Sequence, residues 1–221
     1  MSEGKAVIFD KDGTLLDFHA TWNEAIGSAF DLVADQNAKE RAAELFGYDL
    51  AERCVLSHSA FISETSETTD NLVADLIDVA TFKQTINEAS QRNIVANKGA
   101  TAALDALIDR GWKLAVATND SESCAIDHVE ALKWSHFFTS VKGFDSGHGS
   151  KPGPGMVLAA AEECNALGGV YVMVGDSVHD ILAGQAAGAI TVAIGQQSSA
   201  LRLADMQIEE LGELIELVDG L

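Results

Sequence analysis

A chain of 221 residues, 47% hydrophobic and 22% charged, is long enough to bury a full core and has none of the bias of a disordered, collagenous or repeat protein. Its net charge of −20 repels a phosphate backbone at long range, which argues against nucleic acid as a partner; any anionic substrate must then be captured by a metal ion, a placed lysine or helix N-termini. The opening residues lack the apolar core of a signal peptide, no apolar stretch approaches the roughly 18 residues of a membrane span, and Cys54, Cys124 and Cys164 are far apart with no Cys-x-x-Cys, so a cytoplasmic protein with reduced thiols and no membrane partner is expected.

The first predicted element is a strand. Val7-Ile8-Phe9 is an apolar run that ends in Asp10-Lys11-Asp12-Gly13-Thr14, the pattern of a buried parallel strand delivering acids to the carboxyl edge of a sheet. That edge is where open α/β folds keep their chemistry. Alternation along extended backbone lets Asp10 and Asp12 look toward one site, and Gly13 lets the chain turn away beside it. Two acids this close repel each other, so a stable pair needs a cation, a shared proton, or both.

From residue 16 to about residue 93 no strand pattern is evident. The stretch reads as amphipathic helices, residues 23–33 being one, with a break near Gly47 and a polar run over 63–70. From Lys98 onward predicted helices at 99–110, 121–132, 154–166, 178–187 and 206–218 alternate with predicted strands at 113–117, 139–141, 170–174 and 190–194. Repeated strand-helix units imply a parallel sheet covered on both faces. The expected fold class is therefore α/β, with a doubly wound, Rossmann-like core of residues 1–16 and 94–221 interrupted after its first strand by an all-helical insertion of residues 17–93.

Three further strand or helix ends carry chemistry. The second core strand ends in Thr118-Asn119-Asp120, which suits either a helix cap or a set of neutral donors for a phosphoryl group. Lys151 sits in Gly149-Ser150-Lys151-Pro152-Gly153-Pro154-Gly155, beside both prolines of the chain; the segment reads as a tight turn or as a device that holds one ammonium still at a helix start. Val172-Met173-Val174-Gly175-Asp176-Ser177-Val178-His179-Asp180 is again an apolar run ending in acids. Asp176 and Asp180 lie four residues apart and can face the same way, as a hard divalent ion requires of its oxygen ligands.

Taken together and in order, Asp-x-Asp-Gly-Thr at Asp10, the threonine ending the second strand at Thr118, Lys-Pro-x-Pro at Lys151 and Gly-Asp-x-x-x-Asp at Asp176 resemble the four motifs of the haloacid dehalogenase-like phosphohydrolases. The resemblance covers the whole chain, the insertion standing where that family carries its helical cap. It implies hydrolysis of a small-molecule phosphomonoester through an aspartyl-phosphate, with Asp10 as nucleophile, Asp12 as general acid and base, and Thr118 and Lys151 on the phosphoryl oxygens. Gly13 and Asn119 would lie against the phosphate, and Mg²⁺ would be held by Asp10, Asp12 through its backbone carbonyl, and Asp176, with Asp180 in support. A dehalogenase lacks the acid at Asp12, and a transport ATPase has threonine there and membrane spans, so the phosphatase reading survives both comparisons. Lys11 replaces the apolar residue common at its position.

The branch that hydrolyses phosphoglycolate is the first expectation. Sugar-phosphate or nucleotide phosphatases, a β-phosphoglucomutase-like mutase and a retired binding relative are the alternatives. Substrate choice is expected from the insertion, where Trp22, Arg53 and His58 are candidates; each also fits plain packing or a solvated face. The six histidines show no ligand spacing and read as surface or packing residues.

Overall fold

The computed structural model describes residues 4–64, 66–195 and 198–221. The chain divides into two compact units, one made of the residues up to Leu16 together with Ala96–Leu221 and the other of Asp17–Val95. In chain order the elements are β1 Lys5–Phe9, α1 Phe18–Asp31, α2 Gln36–Phe46, β2 Tyr48–Asp49, β3 Cys54–Val55, α3 Ala60–Ser63, α4 Ser66–Val73, α5 Val79–Arg92, α6 Ala100–Asp109, β4 Lys113–Ala117, α7 Glu122–Ala131, β5 Phe138–Lys142, α8 Gly155–Glu163, β6 Val170–Gly175, α9 Val178–Ala187, β7 Ile190–Ile194, α10 Ser198–Leu203, β8 Met206–Ile208 and α11 Leu214–Val218, the last preceded by a 3₁₀ turn at Leu211–Glu213.

The larger unit is built on a six-stranded sheet in the order β5-β4-β1-β6-β7-β8, with every pairing parallel. β1 lies at the centre, with Phe9 opposite Val116 on one side and Val174 on the other. Both faces of a parallel sheet are covered, so its strands run apolar without alternation; Ala6, Val7, Ile8 and Phe9 are all fully buried. On one face Ala6, Ile8, Ala115, Ala117 and Met173 pack with Met156, Val157, Ala160 and Ala161 of α8 and with Ala183 and Ala187 of α9. α9 is rich in alanine and carries Gly184, where a Cβ would lie 2.8 Å from the side chains of Met173 and Thr191; the small residues let helix and sheet approach closely. From β1 the chain moves outward to β4 and β5, then returns to the other flank for β6, β7 and β8. The strand order thus reverses at β1, and an open α/β sheet forms its crevice at the carboxyl ends of such strands.

The predicted helix over 206–218 is corrected. Met206–Ile208 forms an edge strand, Ile208 pairing with Ile194 and buried, and the α-helix is confined to Leu214–Val218, after the 3₁₀ turn at Leu211–Glu213. The apolar spacing of Leu211, Leu214 and Val218 has a helical period, but the three residues that complete the sheet precede it. α10 is an element that the sequence reading leaves out.

The smaller unit is mainly helical. α1 packs on α5, and Phe30 gathers Phe46, Tyr48 and Phe82 around it at ring-centroid distances of 6.1, 5.2 and 4.9 Å. Asp17, Asp35 and Asp78 cap α1, α2 and α5 by accepting from backbone N–H groups one turn in. Gly47 ends α2 in the left-handed conformation, φ 69°, at the expected break. The insertion is not all-helical: β2 and β3 form a two-residue antiparallel ladder. The polar run over 63–70 includes the start of helix α4; residue 65 lies outside the described residues.

Candidate active site

The strands of the larger unit end together because their registers are aligned, and the chemistry-bearing residues follow those ends. Asp10 continues the β1 ladder by one residue, its N–H donating to Val174 O at 2.8 Å, and Thr118 does the same for β4 toward Lys142 O at 2.9 Å. Gly13 turns the chain with φ 89°, and a Cβ there would stand 2.5 Å from the Asp176 carboxylate, so only glycine admits Asp176. Asn97 fastens this turn from outside; its Nδ2 donates to the carbonyls of Gly13, Thr14 and Leu16 at 3.2, 2.9 and 3.3 Å.

Lys151 is the centre of the cluster and is only 4% exposed. Its Nζ donates to Asp10 Oδ1 at 2.5 Å, Asp180 Oδ1 at 2.6 Å and Ala117 O at 2.8 Å, which uses all three ammonium hydrogens. Asn119 clamps its backbone, accepting from Lys151 N at 2.8 Å and donating to Lys151 O at 3.0 Å. The other oxygen of Asp180 accepts from Ser177 N at 3.0 Å and Ser177 Oγ at 2.7 Å, inside the capping box that starts α9. Asp180 is thereby locked at both oxygens and serves as an anchor for the lysine.

Electrostatics set the state of these groups. Burial raises Asp10 from its ordinary 3.8 to about 7; Lys151 opposes the shift, and Asp180 and Asp12 add to it. Asp176 is pushed well above the carboxylate range by burial and by the charges of Asp10 and Asp180. Burial alone would lower Lys151, but Asp10 and Asp180 outweigh it and the ammonium is held above its usual range. One ammonium thus faces three buried or half-buried acids. Carboxylate oxygens of Asp10, Asp176 and Asp180 lie within 4.8 Å of one another, a hard-donor set that fits a divalent cation and would relieve the repulsion that raises Asp10 and Asp176.

The other predicted site residues are placed as follows. Thr118 is buried, and its hydroxyl oxygen accepts from Asp120 N at 3.1 Å. The Asn119 side chain is committed to the Lys151 backbone. The Asp12 carboxylate pairs with Lys11, and its charge also acts on Asp10. In the smaller unit Trp22 is buried, His58 is exposed, and Arg53 is paired with Glu24 at 3.0 Å and Asp31 at 3.2 Å. The sequence reading did not single out Asn97, or His128, which is buried and in contact with Lys11 at 3.2 Å. The signal for the latter was a lysine directly after a buried apolar strand, which demands buried partners.

The chain is 26% identical to pyrophosphatase PpaX of Bacillus pumilus over 96% of its length and 95% of that protein. It is 27% identical to a phosphoglycolate phosphatase of Psychrobacter arcticus over 85% of its length and 82% of that protein. The crystal structure of a HAD phosphatase from Thermococcus onnurineus superposes with a TM-score of 0.71 at 24% identity, covering 98% of each chain, which bears on the fold. The model of one family, haloacid dehalogenase-like hydrolase, matches residues 5–188, and with the six-stranded parallel sheet and the acid-lysine cluster at its carboxyl edge, the chain belongs to that family.

Proposed function

We propose that the chain is a Mg²⁺-dependent phosphatase that hydrolyses a small-molecule phosphomonoester through an aspartyl-phosphate on Asp10. The observation that carries this reading is the bridge from Lys151 Nζ to Asp10 Oδ1 and Asp180 Oδ1, which holds a nucleophilic carboxylate and a phosphate-binding ammonium in one fixed unit. Asp10 attacks phosphorus, the bond from phosphorus to the leaving oxygen breaks, and Asp12 donates the proton that oxygen needs. Water then attacks the aspartyl-phosphate, Asp12 takes its proton, and Asp10 is regenerated. Lys151, which must shift part of its bonding from Asp10 to the phosphoryl oxygens, and the Thr118 hydroxyl stabilise charge on those oxygens. Asp10, Asp176 and the backbone carbonyl of Asp12 would hold Mg²⁺, which when bound would supply charge neutralisation between nucleophile and phosphate. Asp180 acts from behind, through the lysine.

Phosphoglycolate is the first substrate to try, and a relative's activity makes pyrophosphate the second; sugar phosphates and nucleotides follow. No acid or lysine of the machinery is missing, which disfavours the retired binding relative. The test is phosphate release from such a panel with Mg²⁺ and with excess chelator. Sustained, Mg²⁺-dependent release is expected; isomerised sugar phosphate without release would indicate the mutase, and activity that survives chelation would sink the metal-dependent mechanism.

A further inference from the structure

Lys11 is 2% exposed, in the turn just past β1 between Asp10 and Asp12, and its ammonium meets three side chains. It is hydrogen-bonded to Asp12 Oδ2, lies 3.1 Å from Asp120 Oδ2 and is 3.2 Å from His128 Nδ1. Asp120 Oδ2 is fully buried, and its contact with Lys11 is a close ion pair rather than an aligned hydrogen bond. His128 and Cys124 stand one turn apart on α7, with Cys124 Sγ 3.8 Å from His128 Nε2. Asp120, Cys124 and His128 together resemble a metal-ligand set, their donor atoms lying within 4.8 Å of one another. The ammonium stands where an ion would, however, and burial and the Asp120 charge raise the Cys124 thiol, away from the thiolate a metal needs. His128 is held neutral, lowered to about 4 by burial and by Lys11, and so can accept from the lysine.

The group is therefore a cradle for Lys11. It ties the carboxylate of Asp12 to Asp120, and Asp120 N in turn donates to the Thr118 hydroxyl at 3.1 Å. We infer that Lys11 is a positioning residue: by holding Asp12 Oδ2 it fixes the carboxyl plane of the general acid relative to the strand ends that bind the phosphoryl group. The inference rests on the role proposed for Asp12. A general acid matters where the leaving oxygen is a poor leaving group and hardly at all where it departs as a stable anion, so loss of positioning has a signature that general unfolding lacks.

The test compares kcat/KM for an alkyl phosphate with kcat/KM for 2,4-dinitrophenyl phosphate, since this parameter covers only the steps through leaving-group departure. Lys11→Met should lose about 100-fold on the alkyl ester, within the range of general acid catalysis, and far less on the dinitrophenyl ester. Asp120→Asn, which keeps the lysine and removes one charged partner, should shift the ratio in the same direction by a smaller factor and covers the case in which Lys11→Met fails to fold. Asp12→Asn sets the full size of the effect. Equal losses on both esters for Lys11→Met, or an unchanged ratio in Asp120→Asn where Lys11→Met does not fold, would overturn the inference while leaving Asp12 as the acid. An unchanged ratio in Asp12→Asn would instead remove the general acid itself, and the inference with it.

Discussion

Asp10 is under two opposed demands. The nucleophile proposed at this position must be ionised, yet burial and two neighbouring acids favour its protonated form, with an apparent value of about 7. The folded protein therefore binds a proton at Asp10 that the unfolded chain, near 3.8, releases. Stability from this group is present in full below about 4 and is lost as pH rises toward 7, by an amount on the order of a few kcal/mol. Asp10→Asn should escape this loss, so in chelator the variant should gain on the wild type from pH 4 to pH 7.5, as denaturant unfolding would show. Mg²⁺ should close the gap at pH 7.5 by binding the ionised site. A stability difference that stays constant across the window would contradict the picture. At Asn119 the argument is positional: Asn119→Ala removes both bonds to the Lys151 backbone, and a small displacement of the ammonium should lower kcat/KM about 10- to 100-fold. Undiminished turnover would show that Lys151 is held by its side-chain bonds alone.

Among the elements, what could be read in advance depended on whether local pattern and tertiary demand agreed. Residues 113–117 and 190–194 are apolar runs between helical stretches, and β4 and β7 occupy those residues. Asp10 and Asp176 were legible as strand-end residues and are brought together by the sheet, whereas Lys151 and Asp180 are placed by the Asn119 clamp and by the capping box of α9. Met206–Ile208 was not, because an edge strand of three residues carries too little pattern of its own against the helical spacing that follows. Side-chain partners were not legible either: nothing local says that Asn119 turns to the Lys151 backbone, or that Lys11 finds Asp120 and His128. Burial at β8 makes a prediction of its own. Ile208 is buried and Gln207 exposed, so Ile208→Ala should cost about 2–4 kcal/mol and Gln207→Ala less than about 0.5 kcal/mol. Comparable costs at the two positions in urea unfolding would contradict this burial.

At the scale of the molecule, a net charge of −20 opposes the approach of any phosphate ester, while Lys151 and the cation that the acids fit attract it over a short range. The long-range part is screened first, the Debye length being about 10 Å at 0.1 M ionic strength. Raising salt from about 0.01 M to 0.1 M should therefore increase kcat/KM for a dianionic ester. A steady decrease over that interval would mean that local attraction governs capture from the outset. The central claim, that the chain works through a covalent phosphate on Asp10, is tested most directly by rapid acid quench during turnover with Mg²⁺, followed by peptide mass mapping. Phosphate bound to the peptide that contains Asp10 should appear within the first turnover in the wild type and be absent from Asp10→Asn, which should also fail to release phosphate. Steady phosphate release with no enzyme-bound phosphate at any quench time, together with turnover by Asp10→Asn within about tenfold of wild type, would contradict it.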